Sequence, residues 1–233
     1  MEIPLPSIFP FITIQTQFIR PFLMDKLTPT HPLRYSEDIP SNKAMLMPIK
    51  IGQKPESSFS DPVGLLGDCH RRIESFLSLL IKIAQTGGCE LNAERREALE
   101  KALRYFREAA PNHTRDEEES LFPRMRKSKN KQVQTALAAL DTLEADHDKA
   151  EKAHAEVETL GQRWLAEGRL STREAKRLSQ VLDDLKKTYE RHIAVEDSDI
   201  FPLAGNVLEK SDLAEVGREM AVRRGIRPGG KIY

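Results

Sequence analysis

Five of the six histidines in this 233-residue chain are followed four residues later by a glutamate. The pairs are His70 with Glu74, His113 with Glu117, His147 with Glu151, His154 with Glu158, and His192 with Glu196; His31 stands apart. In a helix a step of four stacks two side chains on one face, about 6 Å apart along the axis. One such pair on a surface is worth only about 0.2–0.5 kcal/mol and signals no more than local helix support. Placement points elsewhere. His70, His113, His147 and His192, with Glu117 and Glu196, fall on the apolar seams of their predicted helices. A carboxylate buried without a partner costs several kcal/mol. Four imidazoles and two carboxylates in one interior therefore call for a bound cation or for extensive internal pairing.

The donor types narrow the cation. Imidazole suits zinc, copper and iron, while carboxylate draws towards harder ions. Six or more nitrogen and oxygen donors exceed one tetrahedral zinc site. They fit two octahedral ions sharing carboxylates, with iron first and manganese second. Glu74 and Glu151 are further candidates, as terminal ligands or as acceptors that orient an imidazole; a solvated helix flank is the ordinary alternative. His154 lies seven residues, about 10 Å, beyond His147, too far to share its metal, and reads as a hydrogen-bonded core histidine. Tyr189, one turn before His192, either donates a hydrogen bond towards the site or simply packs. Cys69 points about 100° away from His70 round the helix and is not counted as a ligand.

The elements that position these residues follow from periodicity. Ten of the 14 prolines fall within residues 1–62, so residues 1–60 are expected to be an irregular N-terminal extension. Met45 or Met47 is an alternative start, and the lack of a basic leading segment argues against a signal peptide. Asp61-Pro62 then opens a first helix to about Gln85, stopped by Thr86-Gly87-Gly88. A second runs from the cap Asn92 to Pro123, with a kink expected just before His113 because of Pro111. A third covers about Gln132 to Glu167 and ends at Gly168. A fourth opens with Ser171 and Glu174, the spacing of a capping box, and closes at Pro202 and Gly205. A short fifth runs from Ser211 to about Arg223. The basic run Arg223, Arg224, Arg227 and Lys231 reads as a solvated tail.

The first and third helices each carry histidine, then glutamate at the fourth position. The second carries His113, Glu117, Glu118 and Leu121-Phe122-Pro123; the fourth carries His192, Glu196, Asp197 and Ile200-Phe201-Pro202. Two similar helical hairpins thus follow one another. The expected fold is all-α: an up-down-up-down four-helix bundle over residues 61–210, with a short C-terminal helix and tail over residues 211–233. The four histidines would meet at one level, at one end of the bundle near the loop between the second and third helices.

Composition excludes several partners. Lys plus Arg equals Asp plus Glu, 36 each, so net charge gives no pull towards nucleic acid or an anionic membrane. No run approaches the roughly 20 apolar residues of a membrane span. Two cysteines, Cys69 and Cys89, imply no structural disulfide, and a reducing cytoplasm is the default compartment.

The order His70, His113-x-x-x-Glu117, His147, His192-x-x-x-Glu196, with acidic turns ending in Leu-Phe-Pro and Ile-Phe-Pro, resembles the hemerythrin-like (HHE) cation-binding family over residues 62 to about 208. The resemblance implies one iron on His70 and His113, a second on His147 and His192, and bridging by Glu117 and Glu196. Oxygen-carrying hemerythrins have five histidines and two carboxylates; Glu151 stands where their third helix has its second histidine. The set is more similar to a four-histidine, two-glutamate branch linked to iron-centre repair under nitric oxide and oxidative stress. Members of that branch usually carry a cysteine-bearing N-terminal domain, whereas residues 1–60 contain no cysteine. The resemblance implies a cytoplasmic non-haem di-iron protein that binds or reacts with O2, peroxide or NO in stress response or sensing. The alternative is an iron-binding protein for storage, delivery or regulation without turnover. Enzymatic turnover and the redox partner stay open.

Overall fold

Asp61 accepts a hydrogen bond from the Gly64 N–H at 3.1 Å, and Pro62 has no N–H to leave unsatisfied at the first helical position. Together they start α1 (Pro62–Ala84). Asn92 caps α2 (93–127) by accepting from the Arg95 N–H at 2.8 Å. Asn130 does the same for α3 (Lys131–Glu167) through the Gln132 N–H, also at 2.8 Å. Ser171 and Glu174 form the expected capping box at the start of α4 (172–207). Helix α3 stops at Gly168, whose φ of 78° is the left-handed conformation that glycine adopts without strain. A fifth helix, α5 (Lys210–Arg223), follows. The computed structural model describes residues 57–226; expectations for the N-terminal extension before Ser57, and for Arg227 and Lys231, lie outside the described residues. Among the described residues there is no strand, and the chain is an all-α bundle. Helix α1 packs on α2 and α4, and α3 packs on the same two, which closes a four-helix ring.

Two of these helices are not regular. Helix α2 contains π-helical turns at Tyr105–Ala109 and Glu117–Leu121, and α4 contains one at Glu196–Ile200. In each, an N–H reaches a carbonyl five residues back: Ala110 to Tyr105, Phe122 to Glu117, and Phe201 to Glu196. Pro111, Pro123 and Pro202 each come directly after the residue that closes such a turn. A proline inside a helix lacks a donor and collides with the carbonyl four residues earlier. The wider turn takes that carbonyl out of the way, and the helix continues. Pro123 and Pro202 therefore do not end their helices, which run on to Lys127 and Val207. The irregularity expected from Pro111 takes the form of the first π turn.

Buried apolar residues form two clusters. One, built round Leu77, Leu99, Leu103, Val157, Trp164 and Leu182, follows His70 and His147 in sequence and precedes His113 and His192. The other, built round Leu66, Phe122, Met125, Leu140, Ile200 and Met220, has the opposite order. The histidines accordingly lie between two apolar layers. The expected placement at one end of the bundle is corrected by the second layer, which α5 completes with Val216 and Met220. Arg223 and Arg224 are no solvated tail either. Both donate to the fully buried Asp116 at 2.7 Å, and Arg223 also reaches Ser120 at 2.6 Å.

Candidate metal centre

His70 and His147 sit in regular stretches of α1 and α3, while His113 and His192 each lie four residues before a π turn that begins on Glu117 or Glu196. Glu117 and Glu196 are both 0% exposed, and all four histidines are buried. The four helices bring these six residues into two overlapping sets. One is His70, His113, Glu117 and Glu196; the other is Glu117, His147, His192 and Glu196. In each set one donor atom from every residue lies within 4.8 Å of the others. Both carboxylates belong to both sets.

The distances describe a convergent cluster. Glu196 Oε2 stands 3.1 Å from His70 Nε2 and 3.0 Å from His192 Nε2. The Glu117 oxygens stand 3.3 Å from His113 Nε2 and 3.3 Å from His147 Nε2. Yet neither oxygen of either carboxylate has a hydrogen-bond partner, and neither has His70 Nε2. His147 Nε2 and His192 Nε2 stand 3.1 Å apart in hydrogen-bond geometry, but the buried carboxylate oxygens and His70 Nε2, brought close without such alignment, suit a cation held among them better than they suit one another.

The outer nitrogens are better served. His70 Nδ1 donates to Asp197 Oδ1 at 2.8 Å, and His147 Nδ1 donates to Glu118 Oε1 at 2.8 Å. A carboxylate can only accept, so each bond places a ring proton on Nδ1 and leaves Nε2 as the atom turned inwards. Phe201 stacks on the His70 ring at 5.2 Å between centroids. With protons as the only cations, charge is shared unevenly. Burial acts to lower His70, but the Asp197 bond and the facing Glu196 carboxylate overcome it and hold the ring up at about 10. Burial, then His70, pushes His113 well below its usual value. Burial and the neighbouring Glu196 raise Glu117 well above the carboxylate range. Burial acts to raise Glu196 too, but His192 and His70 bring it down to about 2. One carboxylate raised and the other lowered is what two acids sharing one buried site produce.

Glu74 and Glu151 are not brought into this cluster. Both are exposed and outside both four-residue sets. The inward faces of α1 and α3 pass through Ile73, Leu77 and Ala150; a step of four from His70 or His147 turns about 40° past that line. His154 is a hydrogen-bonded interior histidine, as expected: its Nε2 and the Tyr189 hydroxyl lie 2.9 Å apart, and it stacks on Phe106. Cys69 and Cys89 are free thiols outside the cluster. Sequence reasoning gave no role to Glu118 and Asp197. The signal was present, since each follows the inward glutamate of its own repeat.

Comparison with known proteins agrees with this geometry. The family described as "Hemerythrin HHE cation binding domain" matches residues 61–204. A protein of Haemophilus influenzae, described only as an uncharacterized protein, is 30% identical over 185 residues, covering 73% of this chain and 94% of that protein.

Proposed function

The chain belongs to the hemerythrin HHE cation-binding family, and from that premise we propose that it is a non-haem di-iron protein of the cytoplasm that binds or reacts with O2, peroxide or NO in stress response or sensing. The observation that carries the metal is the set of four carboxylate oxygens on Glu117 and Glu196, wholly buried and without hydrogen bonds. His70 and His113 would hold one iron, His147 and His192 the other, and Glu117 and Glu196 would bridge them. Iron so held supplies one-electron redox change and open positions for a small ligand.

The chain's own groups do the rest. Asp197 and Glu118 fix the tautomers of His70 and His147 and make their inner nitrogens better donors. Held between the two ions, the Glu117 and Glu196 carboxylates would add negative charge that favours the oxidised metal. The two apolar layers limit approach to the side where a cavity opens beside the histidines. No helix among the described residues is long and apolar enough to cross a membrane. The test is anaerobic optical titration of the iron-loaded protein with O2 and with NO. A saturable spectral change with at least one of them is expected; a spectrum indifferent to both rejects the reading in favour of iron held without ligand chemistry.

A further inference from the structure

Beside the histidine cluster lies a cavity of about 520 Å³, lined by all four cluster histidines and extending to His154 and Tyr189. Phe106 lies seven residues before His113, and His154 seven after His147, so both stand about 10 Å along the bundle from the cluster. The cavity is far larger than a diatomic ligand needs. Two ions and one diatomic molecule, each no larger than the roughly 30 Å³ of a water, would leave most of it empty. Its size falls instead in the range of about 300–1,000 Å³ that holds organic ligands.

The walls say what kind. Leu103, Phe106, Val157 and Ile73 make the far half apolar. In that wall sits the His154–Tyr189 pair. Burial holds His154 down at about 4, so the ring is neutral and carries one N–H. The imidazole and the phenol thus have two donors, and only one hydrogen joins them. His154 Nδ1 is enclosed and has no partner. Buried N–H groups without a partner are rarer than under-satisfied acceptors, which favours the proton on Nε2, donating to the Tyr189 oxygen. The Tyr189 hydroxyl proton is then free for an acceptor in the cavity. At the exposed rim Asp148, Glu151 and Glu158 outnumber Arg107 and Arg115, which disfavours an anion.

We propose that this cavity binds an uncharged organic molecule with an apolar body and one acceptor oxygen, the oxygen on the Tyr189 hydroxyl and the body against Leu103, Phe106 and Val157. That such a molecule is the substrate of the adjacent cluster rests on the di-iron reading; its binding does not.

Benzyl alcohol and toluene, titrated into the protein as isolated by calorimetry or ligand-observed NMR, separate the terms. Benzyl alcohol is expected to saturate at one per chain and to bind about tenfold tighter than toluene, the worth of one hydrogen bond. Tyr189→Phe is expected to erase that difference while toluene binding persists, and Val157→Phe, which fills the apolar half, to abolish both. Failure of the wild-type protein to saturate, a preference that survives Tyr189→Phe, or binding that survives Val157→Phe overturns the proposal. Iron counted on the same samples keeps the two readings apart. Binding by a chain that takes up no iron even after anaerobic ferrous loading leaves the cavity proposal standing and the metal reading refuted; iron uptake without binding does the reverse.

Discussion

Glu117 and Glu196 each face two imidazoles that belong to different halves of the cluster. Replacing either by alanine is therefore expected to disturb both metal positions, whereas His70→Ala should weaken mainly one. Metal content and the optical spectrum of each variant check this, and two tightly held irons with an unchanged spectrum in Glu196→Ala would remove the bridging role. Asp197→Ala and Glu118→Ala should leave the inner donors in place but release the rings they orient. A loss of about 10–100-fold in metal affinity is expected, read by chelator competition. The six inner residues were legible in the sequence because a charged or imidazole side chain on an apolar seam has few explanations. Glu74 and Glu151 share the same spacing from a histidine yet face solvent, because spacing fixes which residues share a face and not which face turns inwards. The partners Asp197 and Glu118 were visible only as acids in a run of acids. Their roles depend on contacts spanning 127 and 29 residues of chain.

Helix starts, and the stop at Gly168, could be read directly, since Asp61, Asn92, Ser171 and Gly168 act through their own neighbours. The π turns could not. Widening a turn by one residue is set by the proline that follows and by what the inward glutamate must reach, and neither acts through local helix preference. Helix α5 was read almost to the residue, but its arginines were misread for a related reason. Its arginines resemble any basic tail until α5 folds back on Asp116, more than a hundred residues earlier. Asp116 immediately precedes Glu117, so α5 braces the backbone of the site. Replacing both Arg223 and Arg224 by alanine strands a buried carboxylate and should cost about 3–5 kcal/mol in urea unfolding. Faster hydrogen exchange along Lys210–Arg223 should accompany it. An unchanged midpoint and unchanged exchange would show that the pair does not fasten this helix.

In the whole molecule the polar cluster lies between two apolar layers, and His154, outside that cluster, adds its own pH dependence to folding. Burial keeps its pKa at about 4 in the folded chain, against 6.5 for the unfolded group. Between those values the unfolded chain binds the extra proton, so folding stability falls as pH drops from 6.5 towards 4, by up to about 1.4 kcal/mol per pH unit from this group. His154→Phe should make that part of the profile less steep, and equal wild-type and variant slopes between pH 6.5 and 4.5 would show that the ring is not buried neutral. The pattern of four helices and two matching hairpins was evident from periodicity alone; the second apolar layer was not, because Leu66, Phe122, Leu140 and Ile200 lie inside the expected helices but the helix that covers them, α5, reaches them only through contacts distant in sequence. What all three scales share is a cluster of donors that protons satisfy badly. Native mass spectrometry of the intact chain, with iron counted by elemental analysis after anaerobic ferrous loading, tests this most directly. Two irons per chain, with loss of both on Glu117→Ala, is the expected result; a chain that takes up no iron, or whose Glu117→Ala variant holds two as tightly, would contradict it.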